Sequence, residues 1–257
     1  MLRFRRIARL SIFAALALSA GHAAADDEIQ VYDDEIRAKG ESGVEIHMNW
    51  TPNGSSSPSW PGQIPTRRAF NLTPEFSWGL GNGWDWGLYL PTTQAAATGW
   101  QGDGIKGRIK KIFAGEEGEA YWGANFELAH NRTTVSQQTW TGELRTIAGI
   151  SNGPWEYAGN LVLGFDMSGP DRSGSPDFGI SGRAIRKISA SWSLGVEHYA
   201  GLGRMNDVLP WRQSSESSFA VAEYAAGSKL GIHFGVGHGW TDSAERTMFK
   251  AIVSIGF

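Results

Sequence analysis

The sequence predicts an all-β fold: a transmembrane, antiparallel, up-and-down β-barrel of about twelve strands with short periplasmic turns and longer extracellular loops. Three observations predict it. The chain opens on an export leader, segments of about ten residues alternate apolar and polar positions through the remainder, and brief turns take turns with longer polar connections.

The leader comes first. Arg3, Arg5, Arg6 and Arg9 form a basic head, Leu10 to Ala20 an apolar run, and Ala23-Ala24-Ala25 a small-residue cleavage site. The apolar run is shorter than the roughly 18 to 20 residues that a membrane-spanning helix needs, so residues 1–25 read as a signal peptide and the mature chain starts at Asp26. Removing these four arginines from 23 basic and 26 acidic residues leaves 19 against 26, a net charge of −7, which argues against nucleic acid as a partner. Cysteine is absent, which excludes disulfides, thiolate metal sites and a cysteine nucleophile.

Period two carries the strands. Leu230, Ile232, Phe234 and Val236 alternate with Gly231, His233, Gly235 and Gly237; Phe249, Ala251, Val253, Ile255 and Phe257 alternate with a set containing Lys250. The same pattern sets Trp84, Trp86 and Leu88 against Asp85, Gly87 and Tyr89, Trp122, Ala124, Phe126 and Leu128 against Glu127, Trp155, Tyr157 and Leu161 against Glu156 and Asn160, and Trp192, Leu194 and Val196 against Glu197. Helical spacing would mix these sets. The predicted strands are 43–52, 70–80, 83–91, 104–114, 119–130, 140–150, 155–166, 176–187, 189–200, 216–226, 228–239 and 246–257. In the strand around Phe219, Ala220, Ala222 and Tyr224 compete with Phe219 and Val221 for the outer face.

Connections and tryptophans fit the same cylinder. Gly81-Asn82-Gly83, 114–118, 151–154, Lys187-Ile188 and Gly227-Ser228 are short and read as periplasmic turns, while 53–69, 92–103, 131–139, 167–175, 201–215 and 240–245 read as external loops. Trp78, Trp84, Trp122, Trp155 and Trp192 fall at periplasmic ends and Trp50, Trp140 and Trp240 at external ends, as two aromatic girdles require. The barrel then occupies 43–257, preceded by a periplasmic segment, 26–42. The acidic stretch Asp26 to Glu35 is expected to be a free tail rather than a piece tucked into the lumen, because leading residues are poorly ordered unless tied down.

Several stretches resemble a proteobacterial family of uncharacterised outer-membrane barrels. They are Asp27-Glu28-Ile29-Gln30-Val31-Tyr32, Leu72-Thr73-Pro74-Glu75, Trp86-Gly87-Leu88-Tyr89-Leu90-Pro91, Asn125-Phe126-Glu127-Leu128, Gly142-Glu143-Leu144-Arg145, Ser168-Gly169-Pro170 and Gly195-Val196-Glu197-His198-Tyr199. More distantly, the strands from Thr73 to Pro91 resemble barrels encoded beside aromatic meta-cleavage (phenol degradation) operons, which implies transport of hydrophobic compounds. Phe257, closing an alternating strand, resembles the carboxy-terminal signature read by the barrel-assembly machinery.

Chemistry is sparse at the level of local motifs. A lipid hydrolase of the phospholipase or lipid A deacylase type needs a serine beside a histidine and an acidic or amide orienter. His130-Asn131-Arg132-Thr133-Thr134 and Glu197-His198 are the nearest local arrangements, but no serine follows either histidine at close spacing, so both read as loop or interface histidines. His233 and His238 have opposite parity and cannot share a metal within one strand. Asp177-Phe178-Gly179 copies a kinase tripeptide without any other kinase element. No catalytic residue, metal or cofactor is expected.

Parity fills the lumen with Glu45, His47, Glu75, Asp85, Glu127, Glu143, Glu156 and Glu197, and with Lys106, Arg108, Lys110, Arg145, Arg183 and Lys250. Glu75, Asp85, Glu127, Glu143, Arg145, Asn160, Glu197 and Tyr199 are the candidate lumen or ligand-binding residues. Arg145 is expected to bridge Glu127 and Glu143, which oppose one another across a hairpin and would otherwise repel. Twelve strands lie between the filled eight-strand cylinder and the open sixteen-strand porin, so a narrow channel for small, hydrophobic or aromatic solutes follows, with a lipid hydrolase and a purely structural barrel as alternatives. The expected setting is the outer membrane of a Gram-negative bacterium, with outer-membrane lipid, lipopolysaccharide and the assembly machinery as partners.

Overall fold

Alternation of this kind closes a sheet on itself only if the first strand can pair with the last, and it does. The computed structural model describes residues 28–96, 98–113, 120–172, 174–227 and 229–257; the leader, the start at Asp26, the turn at 114–118 and Ser228 lie outside the described residues. Its elements are β1 (Ser42–Thr51), β2 (Ala69–Gly81), β3 (Trp84–Tyr89), β4 (Thr92–Ala95), β5 (Gly99–Gly102), β6 (Gly104–Phe113), β7 (Ala120–Asn131), β8 (Trp140–Asn152), β9 (Trp155–Asp166), β10 (Asp177–Lys187), β11 (Trp192–Arg204), β12 (Asp207–Val208), β13 (Ser215–Ala226), β14 (Leu230–Gly239) and β15 (Thr247–Gly256). All pairings are antiparallel, and β1 joins both β2 and β15, so the sheet has no edge.

Twelve wall strands result. β3 and β4 are two parts of one wall strand interrupted at Leu90-Pro91, and β5 and β6 two parts of the next, interrupted at Asp103. Proline has no N–H for a ladder, which accounts for the first break. The stretch 92–103, expected as loop, is therefore mostly a hairpin that prolongs the wall; β12 pairs with the end of β11 in the same manner.

The turn from β2 to β3 shows why its residues are what they are. Gly81 pairs with Trp84, leaving Asn82 (φ 52°) and Gly83 (φ 73°) as the two central residues, both in the left-handed region that a tight hairpin with native twist demands. On the outer surface, Trp78 stacks on Trp86 at 4.3 Å and Phe113 on Trp122 at 4.1 Å near the short-turn end, and Trp50 stacks on Phe249 at 5.4 Å at the other. At that other end the long loops interlock: the Trp60 indole N–H donates to the carbonyl of Thr133 at 2.7 Å, and Arg132 N–H to that of Asp103 at 2.7 Å.

Two placements differ from, or complete, the sequence expectations. In β13, Phe219 and Val221 face inward and are buried, leaving Ala220, Ala222 and Tyr224 outside. Gly237, opposite Phe219 in register, makes this possible, since a Cβ there would stand 2.4 Å from the Phe219 ring. The larger difference concerns the segment before β1. Residues 28–37 do not form a free tail; they run inside the barrel, leaving its short-turn end at Lys39 to Glu41, where Gly40 N–H donates to the carbonyl of Gly79. The reason is complementarity: Val31 and Tyr32 pack on Ile112, Tyr121, Ile147 and Ala158 of the inner wall, and Ile29 packs on Ile185, Phe219, Val221 and Met248. Burying such side chains is worth about 1.5–3 kcal/mol each, which together with the segment's hydrogen bonds and ion pairs opposes the entropy lost on ordering it.

Candidate functional site

Inward-facing side chains meet the segment at every level of the lumen. Asn160 (β9) clamps Tyr32, accepting from its N–H at 2.7 Å and donating to its carbonyl at 2.8 Å. The amide replaces a strand partner and satisfies two buried main-chain groups that would otherwise be costly. Further along, Arg145 (β8) donates to the Gln30 carbonyl at 3.0 Å and Lys250 (β15) to that of Ile29 at 3.0 Å. The segment's acids find cations: Glu28 lies 3.2 Å from Lys106 and Asp33 3.0 Å from Arg183. Its arginine, Arg37, pairs with Glu45 at 2.9 Å.

Beneath these contacts the wall is cross-linked by its own ion pairs. Arg108 (β6) reaches Glu75 at 2.7 Å, pairs with Asp85, and donates to the Tyr89 hydroxyl at 3.0 Å. Tyr89 shares a hydrogen bond of 3.0 Å with the Tyr32 hydroxyl, which donates to Glu127 at 3.1 Å. Across the lumen Lys250 pairs with Glu197, and the Tyr199 hydroxyl donates to the same carboxylate at 2.8 Å. A carboxylate and an ammonium buried side by side in this way hold one another in place, because losing either partner strands the other charge.

All eight predicted lumen residues, Glu75, Asp85, Glu127, Glu143, Arg145, Asn160, Glu197 and Tyr199, face inward. Their partnership differs from expectation at one point. Glu127 and Glu143 are opposed in register, and Arg145 takes Glu143 at 2.9 Å, but it does not bridge to Glu127. Its guanidinium is instead drawn over the Tyr32 ring, 4.3 Å from the centroid. Glu127 is neutralised by Lys106 at 3.1 Å and accepts from Asn125 at 2.9 Å. Tyr32 and Tyr89, the junction of this network, are absent from the sequence-based set; the alternation placed Tyr89 inside, whereas nothing local marked Tyr32.

Glu45, His47 and Glu75 are the group among the described residues that brings metal-type donor atoms together, within 4.8 Å. Each carboxylate already holds an arginine and the imidazole lies 3.2 Å from Glu75, so the group is closed as a hydrogen-bonded set. Among the other described histidines, His233 points inward, 3.2 Å from Glu223, whereas His130 and His238 lie outside, edge-on to Trp140 and Trp240. Glu197 and His198, adjacent in sequence, point to opposite sides of the wall and do not act together.

A closed twelve-strand cylinder with an aromatic-banded exterior and a charged, occupied lumen defines an outer-membrane-type β-barrel. No family model and no curated protein matches the sequence. Among solved structures, the chain is similar to an outer membrane channel from Pseudomonas putida F1, with a TM-score of 0.61 and 12% identity over 90% of this chain and 100% of that one. It is also similar to the KdgM porin (TM-score 0.56, 12% identity, 84% of this chain and 99% of that one) and to the NanC porin (0.53, 9%, 83% and 98%). These likenesses show the fold.

Proposed function

We propose that the protein is an outer-membrane channel for small solutes in which residues 28–37 form the constriction. The observation that carries this reading is the segment itself, docked along the inner face of a closed barrel by the Asn160 clamp, Arg145, Arg183 and Lys250. A scaffold serving only to brace the membrane would need no such fitted interior. The solved channels of like fold support the reading at the level of architecture. On the solute, the inner wall offers two apolar patches bordered by charge, those now covered by Ile29 and by Val31 with Tyr32. With the segment displaced, they suit solutes carrying an aromatic or aliphatic part beside a polar one.

The test is conductance and solute flux of purified protein in planar bilayers and liposomes, with and without residues 28–37. Deletion should raise conductance several-fold and speed entry of small aromatic acids. Equal conductance of the two forms would overturn the constriction, and no conductance from either would overturn the channel.

A further inference from the structure

The outer wall holds an arrangement that no local motif betrayed. His198 (β11) and Ser218 (β13) are opposite one another in register, both outward-facing, with the Ser218 oxygen 2.9 Å from His198 Nδ1. On the far side of the same imidazole, His198 Nε2 lies 3.1 Å from Glu216. Glu216 is 3% exposed, although the His198 side chain is 47% exposed. Its other oxygen lies 3.0 Å from the Ser214 hydroxyl, which the Trp211 carbonyl also engages at 2.7 Å, and the Glu216 N–H donates to Thr241 at 3.1 Å, which holds the main chain in place.

The proton directions follow from donor capacity. A carboxylate accepts, so Nε2 carries the hydrogen and Nδ1 of the neutral ring keeps its lone pair. The Trp240 indole N–H can only donate, and it donates to the Ser218 oxygen at 2.9 Å. The serine's own hydrogen is thereby left for His198 Nδ1. Nucleophile, base and buried orienting acid stand in one relay, the arrangement of a serine hydrolase recognised by roles rather than by sequence order.

The surroundings point to the substrate. One outward position further into the wall, Val196, Ala220 and Val236 are aligned in register; one further still, Leu194, Ala222 and Phe234. Two alanines between larger flanking residues leave a furrow one strand wide, running from Ser218 into the lipid-facing surface. Ser218 lies three positions from the loop end of β13, beside Trp240 of the aromatic girdle, where the apolar wall gives way to polar groups. An acyl chain lying in the furrow would bring its ester carbonyl to the serine.

We propose that Ser218, His198 and Glu216 form a catalytic site on the barrel exterior that cleaves ester-linked acyl chains of lipid in the outer leaflet. Ser218 Oγ adds to the ester carbonyl carbon as its proton passes to His198 Nδ1, and Glu216 holds the resulting imidazolium through Nε2–H. Once Oγ is bonded to carbon, the Trp240 N–H that had donated to it is free to turn to the developing oxyanion. Collapse breaks the bond to the alcohol oxygen, which takes the proton from His198. Water, deprotonated by His198, then hydrolyses the acyl-serine, releasing a fatty acid and restoring the hydroxyl. The reaction needs no other reactant and does not involve the lumen, so it stands or falls apart from the channel.

Purified full-length protein in mixed micelles is offered a diacyl phospholipid in one arm and lipid A in another, and is separately treated with hexadecanesulfonyl fluoride and mapped by mass spectrometry. The expected result is an adduct on Ser218 and fatty-acid release in at least one arm, the arm identifying the lipid. Ser218→Ala should abolish both, and His198→Gln should slow both at least a hundredfold, as loss of a general base does. Heat-modifiable mobility reports folding of each variant. Absence of the adduct in folded protein, equal labelling in His198→Gln, or no release beyond that of Ser218→Ala from either lipid would each overturn the proposal.

Discussion

Asn160 supports two main-chain groups with one amide, so its truncation is the smallest change that should loosen the constriction. Asn160→Ala leaves Tyr32 N–H and C=O without their partner, a loss of about 1–3 kcal/mol. At roughly tenfold per 1.4 kcal/mol, the fraction of time the segment is undocked should rise by one to two orders of magnitude. Single-channel records should show more frequent open events, and unchanged gating would contradict the clamp. Lys250 offers the second case. Lys250→Met strands Glu197 in a buried setting and should cost about 3–5 kcal/mol of stability, most of it recovered by adding Glu197→Gln. Unfolding titrations of the two single variants and the double variant in lipid measure this coupling, and simple additivity would refute it. Parity in the sequence was sufficient to put every one of these groups inside. It could not say that Arg145 would turn from Glu127 to Tyr32, because the competing partner comes from a segment that carries no alternation of its own beyond a few residues.

Strands were legible wherever one face was greasy and the other was not. β7 and β15 match expectation to within two residues because Trp122, Phe126 and Leu128, or Phe249, Val253 and Ile255, keep one face apolar throughout while Glu127 or Lys250 marks the other. β4 and β5 were not legible, since Thr92 to Ala95 and Gly99 to Gly102 have neither a greasy stripe nor a turn signature. β13 was ambiguous because Phe219 and Val221 line a patch that receives Ile29, an apolar interior the two-face rule does not anticipate. The same limit hid the relay of Ser218 and His198, whose partners are 20 residues apart and meet only through the register of β11 and β13. Two substitutions probe the wall. Phe126→Arg places a charge against hydrocarbon and should destabilise by about 2–4 kcal/mol near the midplane, whereas an arginine at inward Gly164 stands opposite Glu143 and Asp177 in register. Heat-modifiable mobility of the two variants should separate them, and equal assembly would contradict the assigned faces. Gly237→Ala should likewise impair assembly, because its methyl group meets the Phe219 ring, while Phe219→Leu in the same chain should relieve it.

For the molecule as a whole, apolar stripes outside and a sheet without edges mean that the native state needs a bilayer or detergent around it. Purified protein should show strand-dominated circular dichroism and migrate faster unheated than boiled; folding in plain buffer would contradict the architecture. The seam between β1 and β15 adds a matter of timing. The strand synthesised first must wait for the one synthesised last, since Gly43 to Trp50 pair with Phe249 to Gly256. Ten residues ahead of β1 are enclosed by that same union. They are either gathered in while the gap still stands open or slipped through the short-turn rim after it shuts, and Gly40, with no side chain to snag and φ at 85°, is the swivel about which they would turn. The order of these two events decides whether a newborn barrel is leaky for an interval before it is stoppered.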